Sequence, residues 1–216
     1  MKLFHIPRRV RGLIFDMDGT LYTNHAYGEH QNVVLIQRLA ELRGLSYEEM
    51  NAQIDEYRRH WAQSHQGEKL SLGNTMVAFG IPIEESIRWR SELINPEHFL
   101  SPDPVLRSTL LAMKDYAGLA VVTNNPTDIA QRTLGTLGVL DLFSVIVGLD
   151  TFGASKPHDR SFLKAAEDLQ AKPEECIAIG DRYDIDIALP LKLGMGGILV
   201  DGAEDMAPIL TLLQNL

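Results

Sequence analysis

Short apolar runs spaced between helix-patterned stretches constrain what this chain can become. Five of them read as strands: Gly12 to Phe15, Leu119 to Val122, Val145 to Val147, Ile177 to Ile179 and Gly197 to Val200. From residue 103 onward they alternate with segments whose apolar residues recur at helical spacing, over Asp103 to Asp115, Thr127 to Leu137, Asp159 to Leu169 and Asp205 to Leu213. Apolar strands that alternate with amphipathic helices join through right-handed crossovers into a parallel sheet covered on both faces. The expected fold class is therefore α/β, with a Rossmann-like parallel sheet core. In such sheets ligands bind outside the carboxyl ends of the strands. Pro190 opposes one long helix from Asp184, so a tight turn and then a short helix starting near it are expected.

The first and second runs are not joined by a short crossover. After Tyr22 the pattern turns helical and stays so for about eighty residues. Val33, Ile36, Leu39, Ala40 and Leu42 keep helical spacing, Gly44 ends that helix, and Ser46 with Glu49 opens the next as a capping box running toward Gln63. Gln66 to Gly73 reads as a polar loop, with short helices over Thr75 to Phe79 and Pro82 to Leu93. The run Asn95 to Pro104 reads as an extended connector because of its prolines, and residues 1 to 11 as a short lead-in whose arginines stay solvated. The organisation expected is an α/β core of residues 1–23 and 101–216, with an all-helical insertion over 24–100 at the binding edge.

The first strand runs straight into GLIFDMDGTLY, where Asp16 and Asp18 lie two apart and Gly19 allows a sharp turn. Side chains two apart on an extended chain point the same way, so both carboxylates can face one spot. Two like charges about 4 Å apart repel by roughly 4 kcal/mol at an effective dielectric near 20, so the pair needs a cation or a shared proton. A hard cation such as Mg²⁺ suits carboxylate oxygens. Taken singly, each Asp reads as a turn former or helix cap. The other strands change that balance: Thr123 and Asn124 follow the second, Lys156 the third, and Asp181 with Asp186 the fourth. All of these groups reach the same edge of the sheet.

DMDGTLY, VVTNN, SKP and GDRYDID resemble, in type, order and spacing, the four motifs of the haloacid dehalogenase superfamily. The helical insert directly after the first motif is similar to that family's C1 caps, as in its phosphoglycolate phosphatases, β-phosphoglucomutases and pyrimidine 5′-nucleotidases. The resemblance implies a phosphatase that acts on a small phosphorylated metabolite. Asp16 would be the nucleophile that forms an aspartyl-phosphate, and Asp18 the general acid and base. Mg²⁺ would be held by Asp16, the backbone carbonyl of Asp18 and Asp181. Asp186, or else Asp184, would support the metal or orient Lys156. Thr123, Asn124 and Lys156 would bind the phosphoryl oxygens. Asp18 favours phosphoryl transfer from oxygen, because the family's dehalogenases lack an Asp there. Intramolecular transfer, as in the mutases, stays open beside hydrolysis.

Two readings from other classes compete. A receiver-like signalling domain also forms an aspartyl-phosphate, but it is shorter and carries no helical insert of this size; a non-catalytic phosphate binder would not need every catalytic position filled. Composition excludes further classes. The net charge of −9 opposes non-specific binding to nucleic acid or anionic membrane, and the single cysteine, Cys176, excludes a disulfide framework. No stretch reaches membrane-spanning length, so a cytoplasmic protein, monomer or homodimer, is expected. His60, Trp61, His65 and Lys69 are candidates for substrate contact from the insert, against the simpler reading that Trp61 and Tyr57 pack and the histidines are solvated.

Overall fold

The computed structural model of the chain describes residues 1–65, 67 and 69–216. Among the described residues six strands form one sheet: β1 (Lys2–Leu3), β2 (Gly12–Phe15), β3 (Gly118–Val122), β4 (Val145–Val147), β5 (Cys176–Gly180) and β6 (Gly196–Leu199). The spatial order is β1-β6-β5-β2-β3-β4, and every pairing is parallel except β1 with β6. β2 lies at the centre, with Phe15 opposite Val121 on one side and Ile179 on the other. Asp16, the next residue, continues that ladder by donating its backbone N–H to the carbonyl of Ile179 at 2.8 Å.

Alternation along the strands divides the core. Leu13, Phe15, Leu119, Val121, Ile177 and Ile179 pack on one face of the sheet. There they meet α5 (Pro104–Lys114), α6 (Thr127–Thr136) and α10 (Met206–Gln214) through Leu110, Ile129 and Ile209. Ile14, Ala120, Val122 and Ala178 pack on the other, against Phe162 and Ala165 of α8 (Asp159–Asp168). A central parallel strand buried on both faces explains why GLIF carries no polar residue.

Between β2 and α5 lie α1 (His25–Arg43), α2 (Tyr47–Ser64), α3 (Leu72–Ala78) and α4 (Ile83–Leu93). They bury a cluster of their own that includes Leu35, Leu39, Met50, Ile54, Met76 and Trp89. Gly44 ends α1 in the left-handed region, and Ser46 and Glu49 form the expected capping box on α2. Asn24 closes the base of this block. Its side chain caps α1 by accepting from Tyr27 N–H at 2.9 Å and donates to the carbonyl of Phe99 at 2.8 Å, so the chain's exit from the core and its return are pinned together.

Several local expectations need correction. The lead-in contains β1, whose edge pairing with β6 depends on a partner nearly two hundred residues away and leaves no local pattern. α3 starts at Leu72, because the Ser71 hydroxyl caps it by accepting from Asn74 N–H at 3.1 Å. The loop expected over Gln66 to Gly73 therefore stops at Ser71, and Gln66 and Glu68 lie outside the described residues. The connector holds a 3₁₀ turn over Pro96–His98, with proline at its first position where a missing N–H costs nothing. A short helix, α7 (Leu149–Phe152), follows β4. The tight turn expected before Pro190 is present as a π-helical turn, Tyr183–Ile187, and the short helix expected near that proline is α9 (Ala188–Lys192), with Pro190 inside it. Its missing N–H falls in the first turn, among groups without an intrahelical partner. Among the described residues no helix is long and apolar enough to cross a membrane.

Candidate active site

The carboxyl ends of β2, β3 and β5 and the loop after β4 deliver their polar residues to one place. Lys156 is 2% exposed, and its Nζ donates to Asp16 Oδ1 at 2.6 Å and to Asp186 Oδ1 at 2.7 Å. Its backbone N–H donates to Asn124 Oδ1 at 2.6 Å, which ties the loop after β4 to the end of β3. Burial works to lower the ammonium pKa, but Asp16 and Asp186 outweigh it, so Lys156 is held above its ordinary value and remains a cation.

Two glycines make this convergence possible. Gly19 has φ +77°, and a Cβ there would lie 2.7 Å from an Asp181 carboxylate oxygen. A Cβ on Gly180 would lie 2.4 Å from that of Asp186. The π-helical turn that carries Asp186 folds back onto the end of β5, and only a residue without a side chain leaves room.

Asp16, Asp181 and Asp186 each place a carboxylate oxygen within 4.8 Å of the other two. Asp16 Oδ2 and Asp181 Oδ1 are buried and have no hydrogen-bond partner among the described residues. Both oxygens of Asp186, by contrast, are engaged: Oδ1 by Lys156, and Oδ2 by the backbone N–H of Arg182 at 3.1 Å. Arg182 supplies a further cation, with Nη2 at 3.8 Å from Asp16 Oδ2 and Nε at 3.4 Å from Asp181 Oδ1. Burial, and then the charge of Asp16, push the Asp181 carboxyl up to about 6 and raise that of Asp186. Buried hard oxygens without donors fit a divalent cation. Asp184 is outside this trio.

Asp18 has a different environment. Tyr22 donates to its Oδ1 through its hydroxyl, Gln31 Nε2 to the same oxygen at 2.6 Å, and Asn125 Nδ2 to Oδ2 at 3.0 Å. Burial and the neighbouring charge of Asp16 nevertheless raise its pKa. Two carboxylates from one strand end thus have different surroundings, Asp16 against a cation and Asp18 among neutral donors. The buried hydroxyl of Thr123 accepts from Asn125 N–H at 3.1 Å and so fixes the turn that follows β3.

Asp18, Asn124 and Asp181 open onto a cavity of about 930 Å³ whose far wall is α2, the start of α3 and α4. Of the residues proposed from the insert, Lys69 lines it. Trp61 and His65 stack on one another, with ring centroids 3.8 Å apart, and do not line the cavity; nor does His60. Arg58 and Arg90 do, and the sequence reading missed both, as it missed Gln31, Tyr22 and Arg182. Tyr22, Asn125 and Arg182 lie inside the quoted motifs DMDGTLY, VVTNN and GDRYDID without having been given a part there. Gln31 and Arg90 sit within helices and carry no local signal.

A profile of the haloacid dehalogenase-like hydrolase family matches residues 10–192. A phosphoglycolate phosphatase of Salmonella choleraesuis is 30% identical over 199 residues, which is 84% of this chain and 78% of the relative. A glyceraldehyde 3-phosphate phosphatase of Methanopyrus kandleri is 26% identical over 205 residues, 92% of this chain and 88% of the relative. Among solved structures, a predicted phosphoglycolate phosphatase of Haemophilus somnus superposes with a TM-score of 0.61 at 21% identity, covering 94% of this chain and 97% of its own. At that identity the likeness concerns fold.

Proposed function

The chain belongs to the haloacid dehalogenase-like hydrolases, and on that premise we propose that it hydrolyses a small phosphomonoester through an aspartyl-phosphate on Asp16, with Mg²⁺ as cofactor. The observation that carries this reading is the buried contact of Lys156 with Asp16 and Asp186, next to Asp18, whose carboxyl pKa is raised by burial and by the charge of Asp16. The phosphatases named among its relatives act on two- and three-carbon phosphates, and we place this chain's substrate in the same size class.

Asp16 attacks phosphorus, and the P–O bond to the leaving alcohol breaks as the P–O bond to Asp16 forms. Asp18 protonates the leaving oxygen, then takes a proton from the water that hydrolyses the aspartyl-phosphate. A raised pKa suits both halves, since the same group must give a proton and recover one near neutral pH. Lys156, the Thr123 hydroxyl and the backbone at Asn124 bind phosphoryl oxygens where transition-state charge spreads. Asp186 has no free oxygen for this task; its part is to orient Lys156. Asp16 and Asp181, with their unpartnered oxygens, and the Asp18 backbone carbonyl would hold Mg²⁺. When bound, Mg²⁺ supplies positive charge against which a phosphate dianion can approach three aspartates. The helical block of residues 24–100 serves as a cap over a core of residues 1–23 and 101–216.

The test is release of inorganic phosphate from small phosphomonoesters by the wild type, Asp16→Asn and Asp18→Asn, with and without Mg²⁺. Metal-dependent turnover is expected, abolished in Asp16→Asn and reduced about 10²- to 10⁴-fold in Asp18→Asn. Equal activity in wild type and Asp16→Asn would rule out the aspartyl-phosphate.

A further inference from the structure

We propose that Arg90 binds a second anionic group of the substrate, a carboxylate on the carbon next to the ester oxygen; the proposal rests on the phosphatase reading above. Arg90 lies on α4 and is 6% exposed. Its Nη1 donates to Asn125 Oδ1 at 3.1 Å, and among the described residues its Nε has no hydrogen-bond partner and no carboxylate lies within ion-pair distance of it. The protein pairs other arginines fully where water would serve them: Arg107 meets both oxygens of Asp141, and Arg132 both of Glu97, each on the surface. A guanidinium removed from water and left without an anion is costly. Burial alone pulls its pKa down to about 10, with only the charge of Asp18 opposing. The cost makes sense if the anion arrives with the ligand, because Arg90 lines the same cavity as Asp18.

Asn125 gives the length of that ligand. It donates to Asp18 Oδ2 at 3.0 Å and accepts from Arg90 Nη1 at 3.1 Å, so the carboxylate and the guanidinium nitrogen are less than about 9 Å apart. A substrate held at both ends by charge-assisted hydrogen bonds of about 2.8 Å leaves at most roughly 3 Å between its own two oxygens. That is the reach from an ester oxygen to a carboxylate on the adjoining carbon. A longer ester would overshoot Arg90. A neutral one of the same size would leave the guanidinium without its counter-charge. Arg58, Arg59 and Lys69 line the same cavity, alongside the carboxylates Glu29, Asp55 and Asp201.

The experiment compares kcat/KM for 2-phosphoglycolate and for ethyl phosphate, which has a methyl group in place of the carboxylate, in wild type, Arg90→Gln and Arg90→Lys. Wild type is expected to prefer the carboxylated ester by about 10- to 100-fold, the worth of a hydrogen-bonded ion pair. Arg90→Gln is expected to bring the ratio close to one, while Arg90→Lys keeps part of it. Equal losses on both esters in Arg90→Gln would mean that Arg90 only supports the fold, and would overturn the proposal. If Arg90→Gln does not fold, the wild-type ratio decides: turnover of both esters at equal efficiency overturns the role of Arg90 and leaves the phosphatase reading intact. A wild type that hydrolyses no phosphomonoester overturns both.

Discussion

Replacing Lys156 with methionine isolates the electrostatics at the centre of the site. Methionine keeps the unbranched stem and removes the ammonium, which leaves Asp16 and Asp186, each side chain 2% exposed, with Arg182 as their nearest cation at 3.8 and 3.7 Å. Breaking a buried ion pair by removing one partner costs about 3–5 kcal/mol. For a chain of this size each kcal/mol moves the melting temperature by about 2–4 °C, so a fall on the order of 10 °C is expected. The loss should depend on pH. Burial and the charge of Asp16 already hold the Asp186 carboxyl above its unfolded value of about 3.9, and removing Lys156 takes away the largest charge that opposes them. A folded-state pKa above the unfolded one means that stability falls as pH rises from about 4 through the raised folded value. Urea unfolding in EDTA at pH 5 and pH 8 should therefore show the larger deficit at pH 8, and Asp186→Asn added to Lys156→Met should recover more than 1 kcal/mol of it. A deficit below 1 kcal/mol, or one that is equal at the two pH values, would refute this account of the buried triad.

Mg²⁺ at a hundred times its Kd should stabilise the wild type by about 2.7 kcal/mol, a rise of roughly 5–10 °C in thermal melting. Asp181→Asn should lose most of that rise, and a wild-type melt indifferent to tens of millimolar Mg²⁺ would remove Asp16 and Asp181 as the carboxylates of a metal site. Burial pushes the Cys176 thiol up to about 12, helped by Glu175 and Glu174, so at pH 8 labelling by a disulfide reagent should proceed only through unfolding, about 10³-fold slower than in urea. Because the unfolded thiol ionises first, near 8.5, stability should decline as pH rises above that value toward 12. Complete labelling within minutes in native buffer would contradict the burial of Cys176.

The strand-end residues were legible because a parallel sheet sends every carboxyl end to one edge. Asp16, Thr123, Asn124, Lys156, Asp181 and Asp186 needed only strand order and polarity to be brought together. The Ser46 capping box and the Gly44 helix stop were legible because both are local. What stayed hidden depends on how distant elements meet. Arg90 and Gln31 are polar positions within helix patterns, where a residue facing a cavity looks the same as one facing water. β1 is too short to alternate and exists only through its partner. The wall of the cavity formed by α2 was misjudged by a fraction of a turn: Arg58 lines it, whereas His60, Trp61 and His65 do not.

Asn125 has a consequence for anyone who would rebuild this enzyme. One amide grips Asp18 and Gln31 with its nitrogen and Arg90 with its oxygen. Asp18 and Asn125 belong to the sheet, Gln31 and Arg90 to the helices inserted into it. The two parts are therefore not freely exchangeable modules. A chimera that grafts these helices onto a foreign sheet must bring an asparagine at this position, or the graft arrives with an unanswered glutamine and arginine. Conversely, a new set of helices placed on this sheet inherits an amide that asks for a donor on one side and an acceptor on the other. Recombination between such proteins is constrained at a residue that never touches phosphorus.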